Sequence, residues 1–266
     1  MIRLLPFVSE KIWGYEHWVL STCPGGLSFA EGPPPVRLLD LLGREHPLLV
    51  KVIQADSGLS VQVHPGDAYA RARESSMGKS ECWYVLAARP GADLVTGLKP
   101  GVTGEDVRRG VAEHRLEPLL WHERVGPGDL VYIPAGTVHT IGGGLRLLEV
   151  QQASDITYRL YDWGRGRDLQ VQKALEVLLP DRAPVIRGFS GRFDGCPYFS
   201  LEVCGHGTLR FAATDVLFVQ SGTGAITTKN RPVQAQAEDT FLCVEPETLH
   251  IAEGLRCLKI HSTGKN

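Results

Sequence analysis

Closely spaced cysteines, long apolar runs and an excess of basic residues are all missing from this sequence of 266 residues. The 28 Lys and Arg are balanced by 30 Asp and Glu, and the formal net charge of -2 offers no field for a nucleic-acid backbone. We therefore predict no nucleic-acid partner. No apolar stretch reaches the length that a membrane-spanning helix needs, so we predict no membrane association. The first ten residues lack the charged head and long apolar core of a signal peptide, and we expect a cytoplasmic protein.

The six cysteines are scattered along the chain and include no C-x-x-C pair. Several of them lie within apolar runs, such as Cys82 in the run from Glu81 to Leu86. Cysteines in such surroundings behave as small buried apolar residues. This pattern favours reduced, buried thiols over disulfides or thiolate metal ligands.

Short apolar runs separated by 30 glycines and 17 prolines are typical of many short strands joined by turns. The sequence therefore predicts a mainly β fold. The predicted strands are 48–54, 60–64, 82–87, 130–133, 145–151, 200–204, 216–220, 240–244 and 255–261.

Three segments have helical spacing of their apolar residues instead: 67–73, 104–115 and 168–179. Thr103 and Asp106 have the spacing of a capping box at the start of the second segment, and Asp67 and Asp168 stand at the starts of the other two. We expect these few helices to be insertions that pack on the sheets.

An internal repeat is the most informative feature of the organisation. Residues 126–150 recur in degraded form at 236–260, so that Asp129 matches Asp239 and His139 matches His250. A repeated unit of acidic turn, strand, corner, His and strand indicates two related β-barrel modules. We predict a first domain over residues 1–185, which carries the helical insertions, and a second, degenerate domain over residues 186–266.

Potential metal ligands lie in three separate segments. Alternation along a strand places Gln62 and His64 on one face, and the buried strand that follows carries Glu81 at its start. A carboxylate in an apolar barrel needs a cation close by, which could be a metal ion or Lys79. With His139, which follows a Pro-x-Gly corner, these residues form an N/O ligand set that suits zinc or another divalent first-row metal.

Four motifs together resemble one family. They are Ser60-x-Gln62-x-His64-Pro65, Gly78-Lys79-x-Glu81-x-Trp83-Tyr84, Pro134-x-Gly136-Thr137-x-His139, and the run from Leu148-Glu149 through Gln151-Gln152 and Ser154-Asp155 to Thr157-Tyr158-Arg159 and Asp162. Their order and separation are similar to those of the type I mannose-6-phosphate isomerases, in particular the short bacterial and archaeal forms. The likeness covers most of residues 10–180, and the remainder resembles a degenerate cupin.

The resemblance implies two cupin-like jelly-roll barrels and one zinc ion per chain, held by Gln62, His64, Glu81 and His139. It also implies a phosphorylated hexose as substrate, with interconversion of mannose 6-phosphate and fructose 6-phosphate. The residues that correspond to the family's catalytic groups are Arg159, Lys79, Glu149 and Asp155, and those that correspond to its substrate contacts are Ser60 and Lys51.

The chemistry of the residues agrees with this activity but leaves alternatives open. Moving a proton between adjacent carbons through an enediol needs a general base, for which Glu149 is the candidate, and cations for oxyanion or phosphate. Alternatively, Glu149 only pairs with Arg159 on a neighbouring strand. Two other functions remain: a non-catalytic sugar-binding cupin, or a metal-dependent cupin dioxygenase, although Gln62 stands where dioxygenases carry a His.

Overall fold

The computed structural model describes residues 1–229 and 231–264. Strands account for 45% of the residues and helices for 12%, which confirms the prediction of a mainly β fold. The strands are β1 (Ile2–Leu5), β2 (Phe7–Lys11), β3 (Gly14–Leu20), β4 (Phe29–Ala30), β5 (Val36–Arg37), β6 (Leu48–Ala55), β7 (Val61–Val63), β8 (Glu81–Ala88), β9 (Asp93–Leu98), β10 (Leu120–Arg124), β11 (Leu130–Ile133), β12 (Thr140–Ile141), β13 (Leu145–Gln152), β14 (Tyr158–Tyr161), β15 (Val185–Ile186), β16 (Arg192–Phe193), β17 (Phe199–Cys204), β18 (Gly207–Phe211), β19 (Val216–Ser221), β20 (Thr223–Thr228), β21 (Arg231–Gln236), β22 (Thr240–Leu242), β23 (Glu247–Ile251) and β24 (Arg256–Ser262).

The helices are α1 (Leu38–Leu42), α2 (Asp67–Glu74), α3 (Gly104–Ala112) and α4 (Val171–Val177), with a 3-10 turn at Glu117–Leu119. The predicted capping box at α3 is present, because Thr103 and Asp106 exchange side-chain and backbone hydrogen bonds. None of the helices among the described residues has the length and apolar character needed to cross a membrane.

Two helix predictions were too long. The chain leaves the helical conformation after α3 at His114, which has a positive φ of 56°. The segment predicted at 168–179 is helical only as α4, because both of its ends are hydrogen-bonded to other parts of the chain. The Gln170 amide donates to the Arg159 carbonyl at 2.9 Å, and the Gln170 side-chain oxygen accepts from the Arg159 amide at 3.0 Å. At the other end, the Leu179 amide donates to the Gly136 carbonyl at 2.8 Å. The predicted start at Asp168 is therefore wrong, and α1 was missed.

The chain divides into two compact units. The first contains Met1–Ser9, His17–Val50 and the described residues from Phe189 onward, and the second contains Glu10–Glu16 and Lys51–Gly188. This partition differs from the predicted division for residues 1–9 and 17–50. The physical reason is backbone pairing, since β1 pairs antiparallel with β22, with Ile2 opposite Leu242.

The first unit is built from two antiparallel sheets. Their strand orders are β16-β17-β24-β19-β22-β1-β4-β5 and β18-β23-β20-β21. Both sheets contribute to one buried core, which includes Phe211, Leu217, Phe241 and Leu249. Alternating inward apolar residues on facing sheets form the kind of sandwich that a jelly roll requires.

The second unit carries the candidate site. One of its sheets contains the strand order β15-β11-β8-β13-β6, and smaller sheets are formed by β10-β9-β12 and by β14-β7. The first five residues of β8 and all but one residue of β13 are buried, which explains the near-continuous apolar sequence of these two predicted strands. Glu81, Glu149, Gln151 and Gln152 within these strands are therefore buried as well, whereas Arg146 is partly exposed.

The internal repeat has a structural counterpart in the turn before each repeated strand. The Asp129 carboxylate accepts a hydrogen bond from the Gly126 amide at 3.0 Å, and the Asp239 carboxylate accepts one from the Gln236 amide at 2.9 Å. The third residue of the turn has a positive φ in both copies, 91° at Gly128 and 70° at Glu238. In each turn the aspartate carboxylate accepts the hydrogen bond of an amide that, among the described residues, has no partner in a neighbouring strand. This role explains why an aspartate occurs at the same position in both copies of the repeat.

Candidate metal centre and its surroundings

Gln62 lies on β7 and His64 follows directly after this strand, and the segment that contains His139 pairs with β7 at Gln62. Gln62 and His139 exchange both backbone hydrogen bonds, at 3.0 and 2.9 Å. On the other side β7 pairs with β14, with Arg159 directly opposite Gln62. Three segments that are distant in sequence are thus brought together by backbone pairing.

The imidazoles of His64 and His139 are held so that the Nε2 atom of one ring faces the Nε2 atom of the other. His64 Nδ1 lies 2.8 Å from the Ile156 carbonyl oxygen, and His139 Nδ1 lies 2.8 Å from the Thr137 carbonyl oxygen. A carbonyl oxygen can only accept, so each Nδ1 must carry the proton and each Nε2 must have a free lone pair. The two Nε2 atoms lie 3.1 Å apart.

Glu81 completes a triad with these two histidines. Its Oε2 lies 3.5 Å from His64 Nε2, and its Oε1 lies 3.5 Å from His139 Nε2. All three side chains are buried, and among the described residues they form the one group of His, Cys, Asp and Glu with the spacing of a metal site. The Gln62 amide lies 3.3 Å from His139 Nε2, and a half-turn of the amide brings its oxygen to the same position.

Burial determines the charge state of the triad. It lowers the pKa of His139 to about 4 and lowers the pKa of His64 well below its usual value, so both rings are neutral at neutral pH. Burial and the neighbouring Glu149 raise the pKa of Glu81 to about 7, although Lys79, whose Nζ lies 3.0 Å from Oε2, opposes the shift. The Nε2 lone pairs of the two histidines and the carboxylate of Glu81, whose charge is unfavourable to bury, therefore face one common point.

This arrangement fits a divalent metal ion. Three acceptor atoms that face each other without an intervening donor repel one another, and a cation removes the conflict. Ligand atoms that bind one zinc ion at about 2.1 Å lie about 3.0 to 3.4 Å apart, which agrees with the separations in the triad. The residues His64, Glu81, His139 and Gln62 can thus hold such an ion without a large rearrangement.

A second group of charges lies beside the triad. Glu149 on β13 accepts a hydrogen bond from the indole N–H of Trp83 at 3.0 Å, and its Oε1 lies 3.2 Å from Lys51 Nζ. Burial raises the pKa of Glu149, but Lys51 and Lys79 outweigh this effect and hold it below its usual value. Burial likewise lowers the pKa of Lys51, and the carboxylates around it, Glu149 first, raise it by more. Both groups are therefore ionised at neutral pH.

Other predicted site residues differ in their surroundings. Arg159 is half-buried, lies opposite Gln62, and has no acceptor for its Nε among the described residues. Glu149 has Lys51 as its ion partner, so the alternative in which Glu149 pairs with Arg159 is not what the structure contains. Ser60 is buried two residues before Gln62.

Asp155 has an exposed side chain. Within residues 1–229 and 231–264, no hydrogen bond or ion pair joins its carboxylate to the triad or to Glu149, so the structure adds no support for a role there.

Two buried partners of the predicted residues were not predicted from the sequence. Trp83 contacts both Glu149 and His139, and Glu16 on β3 lies 4.0 Å from Lys51 Nζ. Alternation along β8 would have placed Trp83 on the face of Glu81, which is a signal present in the sequence. Glu16 gave no such signal, since its contact depends on the order of strands.

The predicted thiols agree with the structure. All six cysteines are free, and five of them are buried, with Cys23 at an intermediate position. None of the six cysteines belongs to the His64–Glu81–His139 triad.

Comparison with known proteins places the chain in a family. No family model matches it. It is 39% identical over 186 residues to a mannose-6-phosphate isomerase of Streptococcus mutans, and the match spans 61% of this chain but only 57% of that relative, little more than half its length. A probable mannose-6-phosphate isomerase of Bacillus subtilis is 34% identical over 212 residues, which cover 66% of this chain and 67% of the relative.

The fold is similar over a longer range than the sequence. The crystal structure of mannose 6-phosphate isomerase from Bacillus subtilis superposes with a TM-score of 0.85 and 25% identity, and covers 98% of this chain and 99% of that one. The sequence match and the shared architecture both assign the chain to the mannose-6-phosphate isomerases, and the buried triad is consistent with this assignment. The chain therefore belongs to the mannose-6-phosphate isomerase family.

Proposed function

We propose that the protein is a metal-dependent aldose-ketose isomerase that interconverts mannose 6-phosphate and fructose 6-phosphate. The observation that carries the proposal is the buried His64–Glu81–His139 triad, whose atoms are all acceptors, next to an ionised carboxylate and several cations. Membership of the family supplies the substrate, since the relatives bear that name. All of the proposed site residues lie in one compact unit.

The proposed metal is one zinc ion per chain, held by Gln62, His64, Glu81 and His139. Two imidazoles, a carboxylate and an amide oxygen are donors that zinc accepts. When bound, the ion supplies Lewis-acid stabilisation of the negative charge that develops on the sugar oxygens.

The proton transfer is assigned to Glu149. An ionised carboxylate can accept the proton from C2 of the aldose, and the electron pair of the broken C–H bond forms the C1–C2 double bond of the enediol. Return of that proton to C1, with the hydroxyl proton moving from O2 to O1, gives the ketose. The low pKa of Glu149 keeps the group in the form that accepts a proton.

The remaining roles are electrostatic. Arg159 carries an unpaired Nε and is suited to a phosphate or an enediolate, which its planar guanidinium can bind at two points. Lys79 neutralises Glu81 and adds positive charge beside the reacting oxygens, and Lys51 pairs with Glu149. Ser60 and Asp155 remain predicted contacts, and the cytoplasmic location remains a prediction as well.

The test is a direct assay. Purified protein is mixed with mannose 6-phosphate, and fructose 6-phosphate is measured through phosphoglucose isomerase and glucose-6-phosphate dehydrogenase, with and without a strong chelator. We expect turnover that the chelator abolishes and zinc restores. Binding of mannose 6-phosphate without any turnover by the zinc-loaded protein would contradict the proposal and indicate a non-catalytic sugar-binding cupin.

A further inference from the structure

Trp83 is fully buried on β8 and contacts two groups of the candidate site. Its indole N–H donates to Glu149 Oε2 at 3.0 Å, and its ring meets the His139 imidazole edge to face, with centroids 5.5 Å apart and planes at 67°. We propose that Trp83 is a positioning residue that fixes both the proton-transfer carboxylate and a metal ligand. This inference rests on the proposed function and adds a role for a residue that touches neither substrate nor metal.

The contact with Glu149 is built into the sheet. Trp83 lies directly opposite Glu149 in the antiparallel pairing of β8 with β13, and two residues away Glu81 lies opposite Gln151. Side chains two residues apart on a strand share a face, so Trp83 and Glu81 project to the same side. The backbone register therefore aligns the indole with the carboxylate and with the triad.

Glu149 is held from both neighbouring strands. The strand order β8-β13-β6 places Trp83 on one side of Glu149 and Lys51 on the other. The indole donates to Oε2 and the ammonium lies 3.2 Å from Oε1, so each carboxylate oxygen has its own partner. The Lys51 side chain has four rotatable carbon bonds, whereas the indole of Trp83 is fully buried and cannot change its orientation. Trp83 is thus the rigid partner that sets the plane of the carboxylate.

The contact with His139 adds to other restraints on this buried ring, whose Nδ1 donates to the Thr137 carbonyl and whose centroid lies 4.7 Å from that of His64. The hydrogen bond at Nδ1 does not by itself set the tilt of the imidazole, and the indole packed edge to face against the ring restricts that tilt. Groups that orient a ligand in this way typically change metal affinity by about 10- to 100-fold when they are lost. The two contacts of Trp83 use different parts of the side chain and can be separated by substitution.

The experiment compares three replacements of Trp83 in the full-length, zinc-loaded protein. The isostere β-(3-benzothienyl)alanine keeps the shape of the side chain but has sulfur in place of the N–H. Trp83→Phe keeps an aromatic ring without the N–H, and Trp83→Leu loses both contacts. Site-specific 5-fluorotryptophan, which keeps the N–H, is the positive control for the incorporation.

We expect the isostere and Trp83→Phe to lower kcat by about 10- to 100-fold, because a small misplacement of the reacting group costs that much. KM and the dissociation constant of zinc should stay within about threefold, since neither substrate nor metal ligand has been touched. Trp83→Leu should also weaken zinc binding by about 10- to 100-fold. The matched control is Trp121→Phe, which removes a similar indole hydrogen bond to Glu123 Oε2, 3.1 Å long, and should change none of these quantities.

A normal kcat for the isostere would overturn the role toward Glu149, and equal zinc affinity for Trp83→Leu and Trp83→Phe would overturn the role toward His139. Because the isostere preserves the packing, it carries the test even where Trp83→Phe fails to fold. Absence of isomerase activity in the unmodified protein would refute the proposed function instead, and the zinc measurements would still decide the contact with His139.

Discussion

Replacing Arg159 by Lys separates a catalytic role from a structural one. The guanidinium is half-buried opposite Gln62, its Nε has no acceptor among the described residues, and burial together with the nearby Arg167 lowers its pKa. A partly desolvated guanidinium with an unpaired Nε gains a hydrogen bond when an anion arrives. Lysine keeps the charge but loses the planar pair of donors. We expect a loss of about 2 to 4 kcal/mol of transition-state stabilisation, which is roughly a 30- to 900-fold fall in kcat/KM.

The structure also predicts what Arg159→Lys leaves unchanged. Because no ion pair of Arg159 is broken, the free energy of unfolding should change by less than about 1 kcal/mol. Arg165→Lys is the opposite control, since its guanidinium donates to Asp162 at 2.8 Å and to the Gly58 carbonyl at 2.9 Å, and we expect it to lower stability with little effect on turnover.

Both quantities are measured on one preparation of each variant, by the coupled isomerase assay and by thermal unfolding. Near-normal kcat/KM in folded Arg159→Lys protein would refute the reasoning and remove Arg159 from the catalytic groups.

Three further predictions follow from the same contacts. Dialysis against a strong chelator should remove one metal ion per chain together with activity, and His64→Ala should reproduce the loss by deleting one lone pair of the triad; full turnover by metal-free protein would contradict this. His250→Ala should leave the metal content unchanged, because its side chain is exposed and lies outside the triad; a lost ion would reveal a second site. Burial raises the pKa of Asp129, but hydrogen bonds from two backbone amides and Arg187 outweigh it and hold the pKa low. The stabilisation is thus present above the unfolded pKa of about 3.9 and lost as the pH falls through the folded value. The urea midpoint of Asp129→Asn should therefore be lower than that of the unmodified protein at pH 6, and the two midpoints should converge toward pH 2. Asp239→Asn, which loses fewer hydrogen bonds, should show a smaller difference, and equal differences at every pH would contradict the assignment.

Local pattern was sufficient for nine of the 24 strands that the described residues form and for the repeat, because these depend on neighbouring residues. The first five residues of β8 and seven of the eight residues of β13 are buried, which leaves an apolar sequence that can be recognised directly. The turn at Asp129 and its copy at Asp239 use a hydrogen bond to an amide three residues earlier, so the same residue type recurs at the same place. The helix predicted at 168–179 was too long because its ends are fixed by Arg159 and Gly136, which are distant in sequence.

The sequence by itself was enough to predict the candidate ligands, since alternation places Gln62 and His64 on one face and the motifs contain Glu81 and His139. Only the tertiary structure decided their partners. Glu149 contacts Lys51 and Trp83 rather than Arg159, because β13 lies between β6 and β8 in the sheet. The side chain of Asp155 is exposed. Strand order is set by packing of the whole unit, and no local pattern encodes which strands become neighbours.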